Sequence, residues 1–166
     1  MELPIRKKLR LKEYDYSQNG AYFITICTQH KRHFLSEICR GGALLLPVGQ
    51  MVENEILALE QKYDLIVDRY IIMPNHLHLL LRLERAEQSP APTISEVICT
   101  LKSITTKKAN LCDNTPGRKI WQRSFYDHII RNEQDYLEIW RYIDQNPLRW
   151  ELDEFYTAKE KPLTAW

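Results

Sequence analysis

One stretch, IIMPNHLHLLLRL at residues 71–83, limits what this chain can fold into more than any other. It continues the β-rich run YDLIVDRYII of residues 63–72, breaks at Pro74 and Asn75, and resumes at His76. Pro and Asn suit the central positions of a tight turn, so the two runs are read as strands of an antiparallel hairpin. Successive side chains of a strand point to opposite faces. Leu77, Leu79, Leu81 and Leu83 therefore share one face, and His76, His78 and Arg82 share the other. Two imidazoles two residues apart on a strand can hold one metal ion; they can equally be partly buried histidines, each bonded to a neighbour.

The other segments extend this frame. Residues 21–28 (AYFITICT) are rich in aromatic and β-branched residues and read as a first strand. Residues 29–47 read as an irregular loop marked by Gly41, Gly42 and Pro47, with His30 and His33 in polar surroundings that give them no chemical role. Val48, Met51, Val52, Ile56, Leu57 and Leu59 recur near the helical period and predict a helix over 48–62. After a polar break at 84–92, a second helix is predicted over 93–111. Thr93 or Ser95 caps it, Ile94, Val97, Ile98, Leu101 and Ile104 form its buried stripe, and Lys102, Lys107 and Lys108 face outward.

Residues 119–130 (KIWQRSFYDHII) read as a fourth strand, and Asn132 caps a third helix that runs to Asn146 and stops before Pro147. The order β-α-β-β-α-β plus a terminal helix predicts an α+β, ferredoxin-like split βαβ fold with an antiparallel sheet. In that arrangement two helices cover one face and leave the histidine face open.

At 166 residues, 44% hydrophobic and 27% charged, the chain fits a single domain with a sizeable core, between a basic leader (1–20) and a tail (151–166) without a clear motif. No apolar run approaches the length of a bilayer span, and the charged start does not read as a secretory signal. Cys27, Cys39, Cys99 and Cys112 show no metal-binding spacing, so free thiols in a reducing cytoplasm are expected. A net charge of +1 excludes a uniformly basic nucleic-acid binder. Basic residues nevertheless gather in 1–12 and 101–123, which points to a local polyanion track or to ordinary solvated surface.

On the last helix Tyr136, Ile139, Trp140 and Ile143 make the packing stripe, while Tyr142 and Asn146, four apart, present a second, polar face. Together MPNHLHLLL, LKSITTKKAN, WQRSFYDHIIRNEQDY and YIDQNPLRW resemble the single-tyrosine HUH transposases, in their REP-associated tyrosine transposase branch, over about residues 22–150. The resemblance implies that His76 and His78 ligate a divalent metal and that Tyr142 is the nucleophile. It also implies a polar ligand one turn later, here Asn146, a shorter amide than the glutamine common there, acting directly or through water.

The implied reaction cuts or rejoins single-stranded DNA beside short palindromic hairpins through a 5′-phosphotyrosyl link. A tyrosine suits it because exchanging one phosphate ester for another keeps the bond energy for rejoining. Phenol ionises near pH 10, so its nucleophilicity must come from placement and from a metal polarising the phosphate. Imidazole with oxygen ligands predicts Mg²⁺ or Mn²⁺ ahead of zinc. Lys102, Lys107, Lys108, Arg123, His128 and Arg131 are candidate DNA contacts, and Trp121, Phe125, Tyr126 and Trp150 candidate stacking partners for unpaired bases. Monomer and homodimer are both compatible with this chemistry, concerted strand exchange favouring two copies. A non-catalytic single-strand-binding module and a metallohydrolase without a tyrosine nucleophile are the competing readings.

Overall fold

The computed structural model describes residues 20–40, 42–84 and 92–158. In chain order the elements are β1 (Gly20–Cys27), a small hairpin of β2 (Ser36–Cys39) and β3 (Gly42–Leu45), α1 (Pro47–Lys62), β4 (Leu65–Ile72), β5 (His76–Leu83), α2 (Ile94–Cys112), β6 (Tyr126–Ile130) and α3 (Glu133–Gln145), followed by a 3-10 segment at Pro147–Leu152. The main sheet is antiparallel throughout, in the order β4-β5-β1-β6. Leaving the small hairpin aside, this is the split βαβ arrangement, with β1 and β5 central.

The alternation in β5 works as the sequence demands. Leu77, Leu79, Leu81 and Leu83 enter a core with Tyr22, Ile24 and Ile26 of β1. Val52, Ile56 and Leu59 of α1 and Val97, Ile98 and Leu101 of α2 complete it. Each such side chain, fully buried, contributes roughly 1.5–3 kcal/mol against exposure. Thr93 starts α2 with a reciprocal capping box: its hydroxyl accepts from the Glu96 N–H, and the Glu96 carboxylate accepts from the Thr93 N–H at 2.6 Å. Leu57, counted in the α1 stripe from its spacing, points to solvent instead.

Three expectations need correction. Residues 36–45 form a hairpin rather than a loop; Ser36 at its start donates to the Ile72 carbonyl at 2.8 Å and ties it to β4. The strand expected over 119–130 is only Tyr126–Ile130, because the segment before it is fixed by other means. Trp121 forms a lone bridge with Thr28 and donates its indole N–H to Thr105 Oγ1 at 2.9 Å, while Lys102 Nζ donates to the carbonyls of Gln122 and Arg123 at 2.6 and 2.9 Å. Finally, the histidine face is not open. Ile143 of α3 packs on Leu80 and Phe23, with Tyr136, Ile139 and Trp140 against them, and Arg69 of β4 binds Asp144 at 2.6 Å. The α3 stripe read from the sequence is thus correct, and what it packs on is the sheet face that carries the histidines.

Candidate metal and nucleophile site

His76 and His78 are 0% and 1% exposed, so their surroundings determine what they can do. Asn75 fixes His76. Its Nδ2 donates to the Phe155 carbonyl at 2.9 Å and to Thr157 Oγ1 at 3.2 Å, which turns Oδ1 toward His76 Nδ1 at 2.9 Å. An amide oxygen only accepts, so Nδ1 carries the proton and His76 Nε2 presents a lone pair. On β1, Thr25 Oγ1 lies 2.8 Å from His78 Nδ1, and the Phe23 ring stacks on the His78 ring at 5.1 Å. The two Nε2 atoms then face each other at 3.1 Å.

Burial makes both imidazoles poor bases. His76 is pushed down to about 4, by desolvation first, with Asp153 opposing and Lys31 adding to the drop. His78 falls well below its ordinary value through burial and the neighbouring His76. At neutral pH the pair is therefore neutral, the form in which imidazole binds metals.

Tyr142 of α3 meets this pair, and Asn146, which caps the helix, is linked to the same cluster through Asp153. Tyr142, 40% exposed, places its hydroxyl 3.3 Å from His78 Nε2 and 3.4 Å from Asp153 Oδ2. Asn146 is buried; its Nδ2 donates to Asp153 Oδ2 at 2.8 Å and its Oδ1 has no hydrogen-bond partner among the described residues. Burial, then the charges of Asp153 and Glu154, push the Tyr142 phenol well above its ordinary value. Beside these groups lies a cleft of about 360 Å³ lined by Tyr142, Gln145, Asn146, Arg149, Asp153 and Glu154.

Asp153 is the residue that sequence reasoning missed. One ligand atom from each of His76, His78 and Asp153 lies within 4.8 Å of the others, a spacing that one metal ion can bridge. The donor set fits a divalent cation: neutral imidazole nitrogens held from behind by Asn75 and Thr25, a carboxylate, and a buried amide oxygen still lacking a partner. The carboxylate also alters the charge balance expected from two imidazoles and an amide alone, because it adds one negative charge. Trp150 and Phe155 close over His76, at 5.9 and 4.8 Å between ring centroids. The segment 147–158 is accordingly part of the site, although no spacing motif in it marked it so.

The basic candidates divide. Lys102 is tied to backbone carbonyls and faces the 122–123 segment rather than solvent, and Lys108 is paired with Glu55 of α1. Both, with exposed Lys107, lie on α2, which packs on the leucine face and hence on the layer opposite the histidines. His128 Nε2 bonds Asp135 at 2.9 Å. Arg123 and Arg131 are exposed at the two ends of β6. Arg82 shares the histidine face but is engaged by Asp68 and Glu84, each at 2.6 Å. His33 bonds Thr157 at 2.7 Å and stays outside the pair. The basic leader lies outside the described residues.

A split βαβ sheet whose central strand carries paired imidazoles, facing a tyrosine from the terminal helix, defines a class of DNA strand-transfer proteins. The chain belongs to the family described as "Transposase IS200 like", whose model matches residues 17–146. It is 33% identical to an uncharacterized protein of Haemophilus influenzae, covering 91% of this chain and 93% of that one. It is 24% identical to the REP-associated tyrosine transposase of Escherichia coli K12, over 81% of this chain and 70% of that one. Among solved structures it resembles a REP-associated tyrosine transposase bound to a REP hairpin, with a TM-score of 0.63 at 23% identity, covering 84% of this chain and 74% of that one. The family implies a divalent metal, and the described residues contain no helix long and apolar enough to cross a membrane.

Proposed function

We propose that this protein is a cytoplasmic transposase that cuts and rejoins single-stranded DNA next to palindromic hairpins, holding the cut end as a 5′-phosphotyrosyl link on Tyr142 and using Mg²⁺ or Mn²⁺. The observation that carries the reading is the Tyr142 hydroxyl, 3.3 Å from His78 Nε2, where the Nε2 atoms of both imidazoles converge. Hairpin DNA as the substrate is supported by the relatives, one named for REP elements and one solved on a REP hairpin. The site residues are His76, His78, Asp153 and the free amide oxygen of Asn146 as metal ligands, with Tyr142 as nucleophile.

When bound, the metal polarises the scissile phosphate and offsets the charge that develops on it. The protein's own groups do the rest. The phenol oxygen of Tyr142 attacks phosphorus, the bond from phosphorus to the 3′ oxygen breaks, and the departing oxygen takes a proton from solvent to become a free 3′ hydroxyl. Asp153 Oδ2, 3.4 Å from the phenol, is the acceptor within reach of the phenolic proton. Thr25 and Asn75 keep the imidazoles turned toward one point, and the rigid sheet keeps that point fixed relative to α3. One nucleophilic tyrosine per chain gives one covalent attachment at a time, so a monomer suffices for cutting while concerted exchange favours a homodimer.

The test is a denaturing-gel assay for a covalent adduct with labelled single-stranded hairpin DNA, in Mg²⁺ or Mn²⁺ and in chelator. Wild type forms a metal-dependent adduct and Tyr142→Phe forms none. An adduct retained by Tyr142→Phe assigns the nucleophile elsewhere; tight hairpin binding without any adduct makes the protein a binding module.

A further inference from the structure

α3 covers the histidine face only in part. It crosses β5 and β4, where Ile143 meets Leu80 and Asp144 meets Arg69, and leaves the Tyr126 end of β6 uncovered. Tyr126 is 46% exposed there. The strand register shows where it stands relative to the site. Thr25 pairs with His78 on one side and with Tyr126 on the other, so the three side chains form one row across the sheet on the same face. Two strand spacings separate Tyr126 from His78, about 10 Å. Phe23 fills the interval, its ring 5.1 Å from His78, 5.9 Å from Tyr142 and 6.5 Å from Tyr126.

The other aromatic candidates are engaged. Trp121 is 6% exposed with its N–H bonded to Thr105, Phe125 packs against the core, and Trp150 sits against His76. Tyr126 alone among the four combines an exposed ring with a position in the row of the site. Its backbone is held by pairing with Thr25 of β1, and the chain before it is tied by Lys102 to the carbonyls of Gln122 and Arg123 and by the Gln122 N–H to the Cys27 carbonyl at 3.0 Å. Arg123, three residues before Tyr126, is exposed and offers a phosphate contact.

Resting on the function proposed above, we infer that Tyr126 is a stacking platform for one unpaired nucleobase, one or two nucleotides from the phosphate that Tyr142 attacks. Stacking on an aromatic face tolerates any base, and an anchored ring loses little freedom on binding. The platform thereby sets which phosphate in a flexible single strand comes to rest at the site.

The experiment uses the full chain in chelator and hairpin oligonucleotides in which 2-aminopurine is moved one position at a time through the single-stranded flank. Wild type and Tyr126→Phe quench the probe at one position near the hairpin. Tyr126→Leu loses that quenching and binds about ten-fold more weakly, toward the low end of what one base stack contributes; Tyr126→Thr replaces it if the leucine variant does not melt cooperatively. Unchanged quenching and Kd in these variants, or no quenched position in wild type, overturn the inference. Quenching in chelator together with no covalent adduct from wild type in the Mg²⁺ or Mn²⁺ gel assay leaves the platform standing and removes the proposed reaction. An adduct lost in Tyr126→Phe but kept in Tyr142→Phe makes Tyr126 the nucleophile and overturns the platform.

Discussion

Removing one imidazole should change the acid sensitivity of the metal-free protein by a calculable amount. His76 titrates near 6.5 in an unfolded chain and at about 4 in the fold. Between those values the unfolded chain holds a proton that the folded one does not, so stability falls as pH drops through the window and recovers as pH rises. At about 1.4 kcal/mol per pH unit across it, the loss amounts to about 3 kcal/mol. His78 shifts in the same direction and steepens the wild-type curve further. The assay is urea denaturation in chelator at steps from about pH 4 to about pH 7, for wild type and His76→Gln. Carboxylates common to both proteins cancel in the comparison, and a lower absolute stability of the variant does not matter. The stability difference, wild type minus variant, should grow by about 3 kcal/mol from the acid to the neutral end. It can exceed this slightly, because removing His76 also relieves part of the depression on His78. Parallel curves would refute the account of a buried, neutral histidine pair.

Two further outcomes follow from single contacts. Asp153→Asn removes the charge that, after burial, does most to raise the Tyr142 phenol; spectrophotometric titration should show that phenol ionising at lower pH, and calorimetric titration should show Mn²⁺ binding weakened at least about ten-fold. Gly49→Ala places a Cβ 1.9 Å from the Leu35 carbonyl oxygen, a backbone atom that cannot swing aside, so denaturant melts should show a loss of at least about 3 kcal/mol.

How much of this was legible in the sequence depends on whether a feature rests on local periodicity or on distant contact. The β5 alternation, the α3 stripe and the Thr93 cap are set by neighbours along the chain, and each stands where the pattern put it. The β2–β3 hairpin escaped because its strands are only four residues long and its residues lack a sustained alternation. Lys102 and Lys108 looked outward because they lie off the apolar stripe. What lies off the stripe still meets neighbours, here the carbonyls of residues 122–123 and Glu55. Asp153 was out of reach for a stronger reason. It lies beyond the matched family segment, which ends at residue 146, and it reaches the histidines only because Pro147–Leu152 folds the chain back after α3. The structure thus builds the candidate site from parts of unequal firmness. The imidazoles stand on a central strand, and the phenol and amide on a packed helix. The carboxylate stands on a half-buried segment held by Asn146 and by its own bond to the Phe155 N–H at 2.7 Å. Of these groups the carboxylate is the one whose position depends on the fold of the segment after α3 rather than on the sheet or the packed helix.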